Sequence, residues 1–120
     1  MFTAAEIQKI DETEEITLVV NRPERAPLRV IVWIVVVDGV AYVRSVKGVE
    51  GGWYKHVAAN PHGAIALAAG DREVVFEPVS DADLVAPIDA AYERKYGRTP
   101  DVDAIQTPAA VATTFRVAGV

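Results

Sequence analysis

The chain has 120 residues, 51% of them hydrophobic and 24% charged, enough for one domain with a real core and too apolar for a disordered chain. Its formal net charge of −5 repels phosphate backbones and argues against nucleic-acid binding. The absence of cysteine excludes disulfides and thiolate zinc sites and fits a reducing, cytoplasmic location.

The opening MFTAAEIQKIDETEE is acidic and has neither the basic start nor the apolar stretch of a secretory signal. Thr3 and Glu6 have capping-box spacing, in which each side chain satisfies the other's backbone N–H. The spacing predicts a short helix over about residues 3–10, with Ile7 and Ile10 on one face. Ile16, Leu18 and Val20 then alternate with Thr17 and Val19, which is strand periodicity. Residues 21–27 hold two prolines and two arginines and read as a loop.

The run from Leu28 to Val37 is β-branched and apolar on both faces, so it predicts one long strand covered on both sides. The barrel core would cover one side, and a helix or a second subunit the other. Its longest unbroken apolar stretch, Val30 to Val37, is eight residues, far short of the roughly 20 that span a bilayer. No membrane partner is expected. Asp38-Gly39 then predicts a tight hairpin, with a return strand over Val40 to Lys47.

A glycine-bearing loop, Gly48 to Gly52, leads into WYKHVAAN, a short helix stopped at Asn60-Pro61. Residues 64–69 and 72–79 predict a second hairpin turned at Gly70-Asp71. Ser80 and Asp83 mark a helix start, and Leu84, Ile88, Tyr92 and Tyr96 follow at spacings of four. Pro87 divides a first turn from the main helix, Arg94 and Lys95 suit its last turn, and Gly97 ends it. Residues 98–110 read as an irregular connection, and residues 111–117 as a last strand with Val111, Thr113, Phe115 and Val117 on one face. The expected architecture is mainly β within α+β: a single domain over 1–120, built as a six-stranded barrel with about three peripheral helices.

Metal chemistry finds little support. His56 and His62 are the only histidines, and a zinc site needs three or four converging ligands. Ser45 and Ser80 are the only serines, and neither lies in a Gly-x-Ser-x-Gly elbow. The carboxylates at 11–15 and 81–83 read as solvated faces or helix starts, so the catalytic residues stay unknown.

The informative stretch runs from Tyr42 to His56. Arg44, Lys47 and Lys55 face Glu50 alone, a positive excess inside an acidic chain. Gly51-Gly52 precedes a helix, and free amides at a helix start with cations beside them form a natural anion site. Glycines let a phosphate approach the main chain closely. Each charge-assisted bond contributes roughly 1.5–3 kcal/mol, whereas association costs about 4–15 kcal/mol. A ring must therefore be buried too, and Trp33, Tyr42, Trp53 and Tyr54 are candidate surfaces. The competing reading leaves the cations solvated and makes Trp53 and Tyr54 anchors of the short helix. Arg22, Arg25 and Arg29 form a second basic group, which sequence alone does not place in the same pocket.

The order of basic loop, apolar strand, Asp-Gly turn, YVRSVKG and WYKHVAANP resembles the split-barrel flavin-binding superfamily. This superfamily includes pyridoxamine-phosphate-oxidase-like proteins and deazaflavin-dependent nitroreductases. Within it, the chain is most similar to a small uncharacterised bacterial family. Residues 38–54, the AAYERKYG at 90–97 and the paired Thr113-Thr114 carry that likeness. The resemblance implies a split barrel, a homodimer and two cofactor sites at the interface. The cofactor would be FMN or a deazaflavin. Arg44, Ser45, Lys47 and Gly48 would meet its phosphate, with Trp53 and Lys55 close by. The chain has NRPERAP where the nitroreductases carry a Gly-Arg-x-Ser-Gly loop, and GVEGGWYK where the oxidases carry a Ser-Arg-Lys cluster.

Two functions remain open. One is a flavin- or deazaflavin-dependent oxidoreductase, whose cofactor supplies the hydride chemistry. The other is a non-catalytic dimeric small-ligand-binding or interaction module that has lost that cofactor, holding a small apolar ligand, or haem through His56 or His62.

Overall fold

The Asp38-Gly39 turn forms as its sequence dictates. Both residues take positive φ, +49° and +76°, as a two-residue primed hairpin requires. The turn joins β3 (Ile34–Val37) to β4 (Val40–Val43), which pair antiparallel from Val37↔Val40 to Ile34↔Val43. The computed structural model describes residues 1–120.

The long apolar run is not one strand. It breaks at Trp33 into β2 (Arg25–Val32) and β3. The break has a physical reason in the helix packed behind it, α3 (Val85–Tyr96). Tyr92 donates to the Trp33 carbonyl (3.3 Å) and Lys95 to the Ile34 carbonyl (2.6 Å). The Ile34 N–H donates to the Tyr96 hydroxyl (3.2 Å). Backbone groups that a continuous strand would give to its neighbours are held by side chains of α3 instead.

The remaining strands are β1 (Ile16–Arg22), β5 (His62–Leu67), β6 (Gly70–Pro78) and β7 (Phe115–Gly119). The sheet order is β2-β1-β5-β6-β7-β4-β3, with every pair antiparallel. β2 and β3 stand at opposite ends of that order, yet only Trp33 separates them in the chain. The sheet must therefore curl until its two ends meet. This is a split barrel of the α+β class, with seven strands rather than six because the expected strand from Leu28 to Val37 is divided between both edges.

Inside the curl lie Ile16, Leu18, Val20, Ile34, Val43, Ile65, Val74, Phe76, Phe115 and Val117, all buried. Helix α1 (Ala4–Glu12) adds Ile10, and α2 (Gly52–Ala59) adds Trp53 and Val57. The α1 capping box forms as expected, with Glu6 N–H donating to Thr3 Oγ1 and Thr3 N–H to Glu6. A second apolar cluster joins Val35 and Tyr42 to Ile88, Ala91 and Tyr92 of α3. The predicted face of α3 is the buried one, and Pro87 sits in its first turn.

Residues 98–110 are ordered rather than irregular. They form α4 (Pro100–Ile105) and α5 (Pro108–Val111), each opened by a capping threonine and a first-turn proline. The last strand starts at Phe115, not Val111. Thr113 and Thr114 fold back to donate to the carbonyls of Ala110 (2.6 Å) and Val111 (2.7 Å), which takes them out of the sheet. The return strand β4 likewise ends at Val43, so residues 44–47 lie beyond it. The second hairpin turns at Ala68-Ala69, two residues before the predicted place. No helix is long and apolar enough to cross a membrane.

Candidate functional site

Where β4 ends, the chain leaves the sheet through Arg44 and Ser45. The Arg44 side chain is fully buried. Its Nε donates to Thr114 Oγ1 (3.1 Å), while Nη1 donates to Asp89 and to the Ile105 carbonyl (3.2 Å). Its guanidinium lies over the Tyr92 ring, 5.7 Å from the centroid. The second amino group, Nη2, is buried with no partner. Burial pushes the Tyr92 phenol far up, against the opposing pull of Arg44, so it stays protonated.

Ser45 is also turned inward. Its N–H donates to Thr113 Oγ1 (2.9 Å) and its hydroxyl to the Gly48 carbonyl (2.8 Å). Gly48 has φ +63° and packs against Ala109. A Cβ at Gly51 would come within 2.2 Å of Ser45 Oγ, so the loop closes only with glycine there. Gly51 then opens α2 without a capping side chain. The first-turn amides of α2 are left for solvent or a ligand.

Beside this loop is a cleft of about 550 Å³, a volume within the range of small-molecule sites. Val30, Ile31, Trp33 and Trp53 form much of its apolar wall. Arg44, Ser45, Lys47, Gly51 and Gly52 line it from the loop, and Ile105 from α4. Of the residues predicted from sequence, Arg44, Ser45, Lys47 and Trp53 come together here. Gly48 and Lys55 do not line the cleft, and Lys55 pairs with exposed Glu50 at 3.6 Å.

Arg22, Arg25 and Arg29 stay apart from it. Arg22 donates to the Ala26 carbonyl, and Arg29 pairs with Asp71, which lowers the Asp71 carboxyl below its usual value. His56 and His62 also lie outside the lining. Sequence reasoning missed Glu15 and Asp101, which bring two carboxylates to the cleft. No local signal marks them, because one precedes β1 and the other opens α4. Trp33 was named only for its aromatic surface. The structure adds that its ring stacks on Tyr96, 4.2 Å apart and 8° from parallel.

The family model described as an uncharacterised protein conserved in bacteria, DUF2255, matches residues 6–117. The chain belongs to that family. No protein of curated function matches it. Among solved structures it is similar to the haem storage protein HutZ from Vibrio cholerae. The TM-score is 0.72 at 15% identity, covering 100% of this chain and 92% of that one. It is also similar to an FAD-binding protein from Mesorhizobium loti (TM-score 0.60, 18% identity, 99% and 91% covered). An F420 reductase gives 0.60 at 17% identity, with 94% and 91% covered. At such identities the likeness shows the split-barrel fold of pyridoxamine-phosphate-oxidase-like proteins and no particular ligand.

Proposed function

We propose that this DUF2255 chain is a homodimeric binding protein for a ring cofactor with a phosphate tail, FMN or a deazaflavin, possessing the framework of an oxidoreductase. The observation that carries the reading is the cleft itself. It sets Lys47 and the uncapped start of α2 beside an apolar wall containing Trp33 and Trp53. The amides and the ammonium suit one phosphate, and the wall suits a flat ring. Solved proteins of this fold described as FAD-binding or as an F420 reductase add weight. The cofactor, when bound, would supply hydride transfer, while Lys47 and the α2 amides would orient its tail and the apolar wall would exclude water.

The same face supports dimerisation. Ile31, Val46 and Val49 are large apolar side chains 61%, 54% and 54% exposed, and the first two line the cleft. A second copy laid over them would bury apolar surface and roof the ligand. Haem through His56 or His62 has no such support, since neither histidine lines the cleft.

A specific observation favours a second reading, a dimeric module for an apolar ligand without phosphate. Asp89 already answers the charge of Arg44, and Glu15 and Asp101 face the same cleft. One titration separates the two. Visible spectra and thermal shifts are recorded with FMN, FAD and a deazaflavin, in wild type and in Lys47→Ala. Under the first reading a cofactor shifts both signals, and Lys47→Ala weakens it at least about tenfold. Unchanged spectra and melting points with all three reject it and leave the second.

A further inference from the structure

Glu15, Asp101 and Lys47 line the cleft and have no ion-pair partner in the protein. Arg44 lines it too, but Asp89 neutralises it. The cleft thus holds two uncompensated carboxylates against one ammonium. Of these three side chains, one would attract a purely anionic group and two would repel it. A neutral ligand would leave all three unused.

The carboxylates are not isolated on a surface. Ile16 pairs with Val32 at the end of the β1–β2 ladder. The residues just beyond that rung are Glu15 and Trp33, and both line the cleft. Tyr96 stacks on one face of that indole and fixes its plane, leaving only the opposite face for another partner. Asp101, from the first turn of α4, meets the same cleft. An indole and two unpaired carboxylates lining one cleft match the electrostatics of an organic cation, which is attracted to both. Low-dielectric walls such as Val30, Val32 and Ile105 strengthen that attraction relative to open water.

We infer that the Trp33–Glu15–Asp101 part of the cleft binds an organic cation: an alkylated or protonated amine, or a pyridinium-type ring. This group is either one end of the ligand or a second ligand bound beside it. The inference concerns the same cleft as the flavin reading and does not rest on it.

The test compares two probes of one shape, N-methylquinolinium and quinoline, by calorimetric titration near pH 8, where quinoline is neutral. Low ionic strength keeps surface charges unscreened. The cation should bind at least about fivefold tighter than the neutral ring in wild type. Glu15→Gln with Asp101→Asn should bring the two probes to within about twofold by weakening the cation alone. Both positions are exposed, so the substitutions leave the fold intact. Equal binding in wild type, a preference that survives the double substitution, or no binding of either probe overturns the inference. FMN titrated into the same preparations keeps the two proposals distinguishable. FMN binding without cation preference defeats only this one, and cation preference without FMN binding defeats only the flavin reading.

Discussion

Arg44 and Asp89 are 45 residues apart in sequence and form an ion pair where the end of β4 meets α3. The arginine side chain is fully buried and the aspartate side chain 29% exposed, so the pair is sheltered from water mainly on its cationic side. Arg44 is therefore a structural cation before it is a ligand-binding one. It ties β4 to α3, and through Ile105 and Thr114 it also reaches α4 and the approach to β7.

Removing one partner of such a pair strands a buried charge. Asp89→Ala is expected to destabilise the protein by about 3 kcal/mol, the lower part of the range for buried pairs because Asp89 is partly exposed. Replacing both, as Arg44→Met with Asp89→Ala, should cost clearly less than the sum of the single changes. Urea denaturation of the four proteins measures this. A cost below about 1 kcal/mol for Asp89→Ala would show that solvent already serves the guanidinium.

The same geometry explains what the sequence hid. The Asp38-Gly39 hairpin, the α1 capping box and the α3 face rest on contacts a few residues apart, and all three were legible. The break at Trp33 was not. Every residue from Val30 to Val37 is apolar, and the interruption comes from Tyr92, Lys95 and Tyr96, about 60 positions later. In the site, YVRSVKG and WYKH were legible as a basic, glycine-rich segment, but charge alone could not tell Arg44 from Lys47. One turns inward to Asp89; the other lines the cleft unpaired. Glu15 and Asp101 reach that cleft only through tertiary folding. The helices α4 and α5 are a different case, since Thr99-Pro100 and Thr107-Pro108 are local start signals that could have been read.

Stability should rise with pH from about 8 to about 10 and fall above it. Burial pushes the Lys95 ammonium down to about 8, with Asp11 and Glu14 opposing the shift. An unfolded lysine titrates near about 10.4. Between those values the unfolded chain holds more protons, so the unfolding free energy climbs with pH. Burial pushes the Tyr92 and Tyr96 phenols up, Tyr96 to about 12. Above about 10, unfolded tyrosines ionise first and the folded state loses its advantage. Lys95 is half-buried, and solvent screening holds its share to about 1 kcal/mol. Lys95→Met should flatten the rising limb in chemical denaturation at stepped pH. A rising limb of full height in that variant would assign the effect elsewhere.

Gly63 is a packing glycine. A Cβ there would lie 2.5 Å from the Val19 carbonyl oxygen and 2.9 Å from the Phe76 ring. Backbone on one side and a core ring on the other leave it no room, and Gly63 faces Val20 in the β1–β5 pairing. Gly63→Ala should therefore cost about 1–3 kcal/mol as overpacking. Gly39→Ala meets no atom within 4 Å, and its cost should be only the strain of positive φ, about 1 kcal/mol. Thermal melts of the two variants should rank them in that order. The reverse order would mean that the β1–β5 pair separates easily.

Tyr96 joins the kink to the cleft wall. Its hydroxyl accepts from Ile34 N–H and donates to the Glu14 carbonyl (2.6 Å), while its ring backs Trp33. Tyr96→Phe removes only the hydroxyl bonds and should cost about 1–2 kcal/mol. Tyr96→Ala also removes the stacked ring and should cost about 3–5 kcal/mol, as large-to-small changes of aromatic side chains do. In a Trp53→Phe background Trp33 is the only tryptophan, and its emission reports the cleft wall directly. Tyr96→Ala should shift that emission to the red as water reaches the freed indole face, and Tyr96→Phe should leave it near its original wavelength. Equal emission shifts in both variants would mean that the hydroxyl bonds, not the stack, hold Trp33 against the cleft.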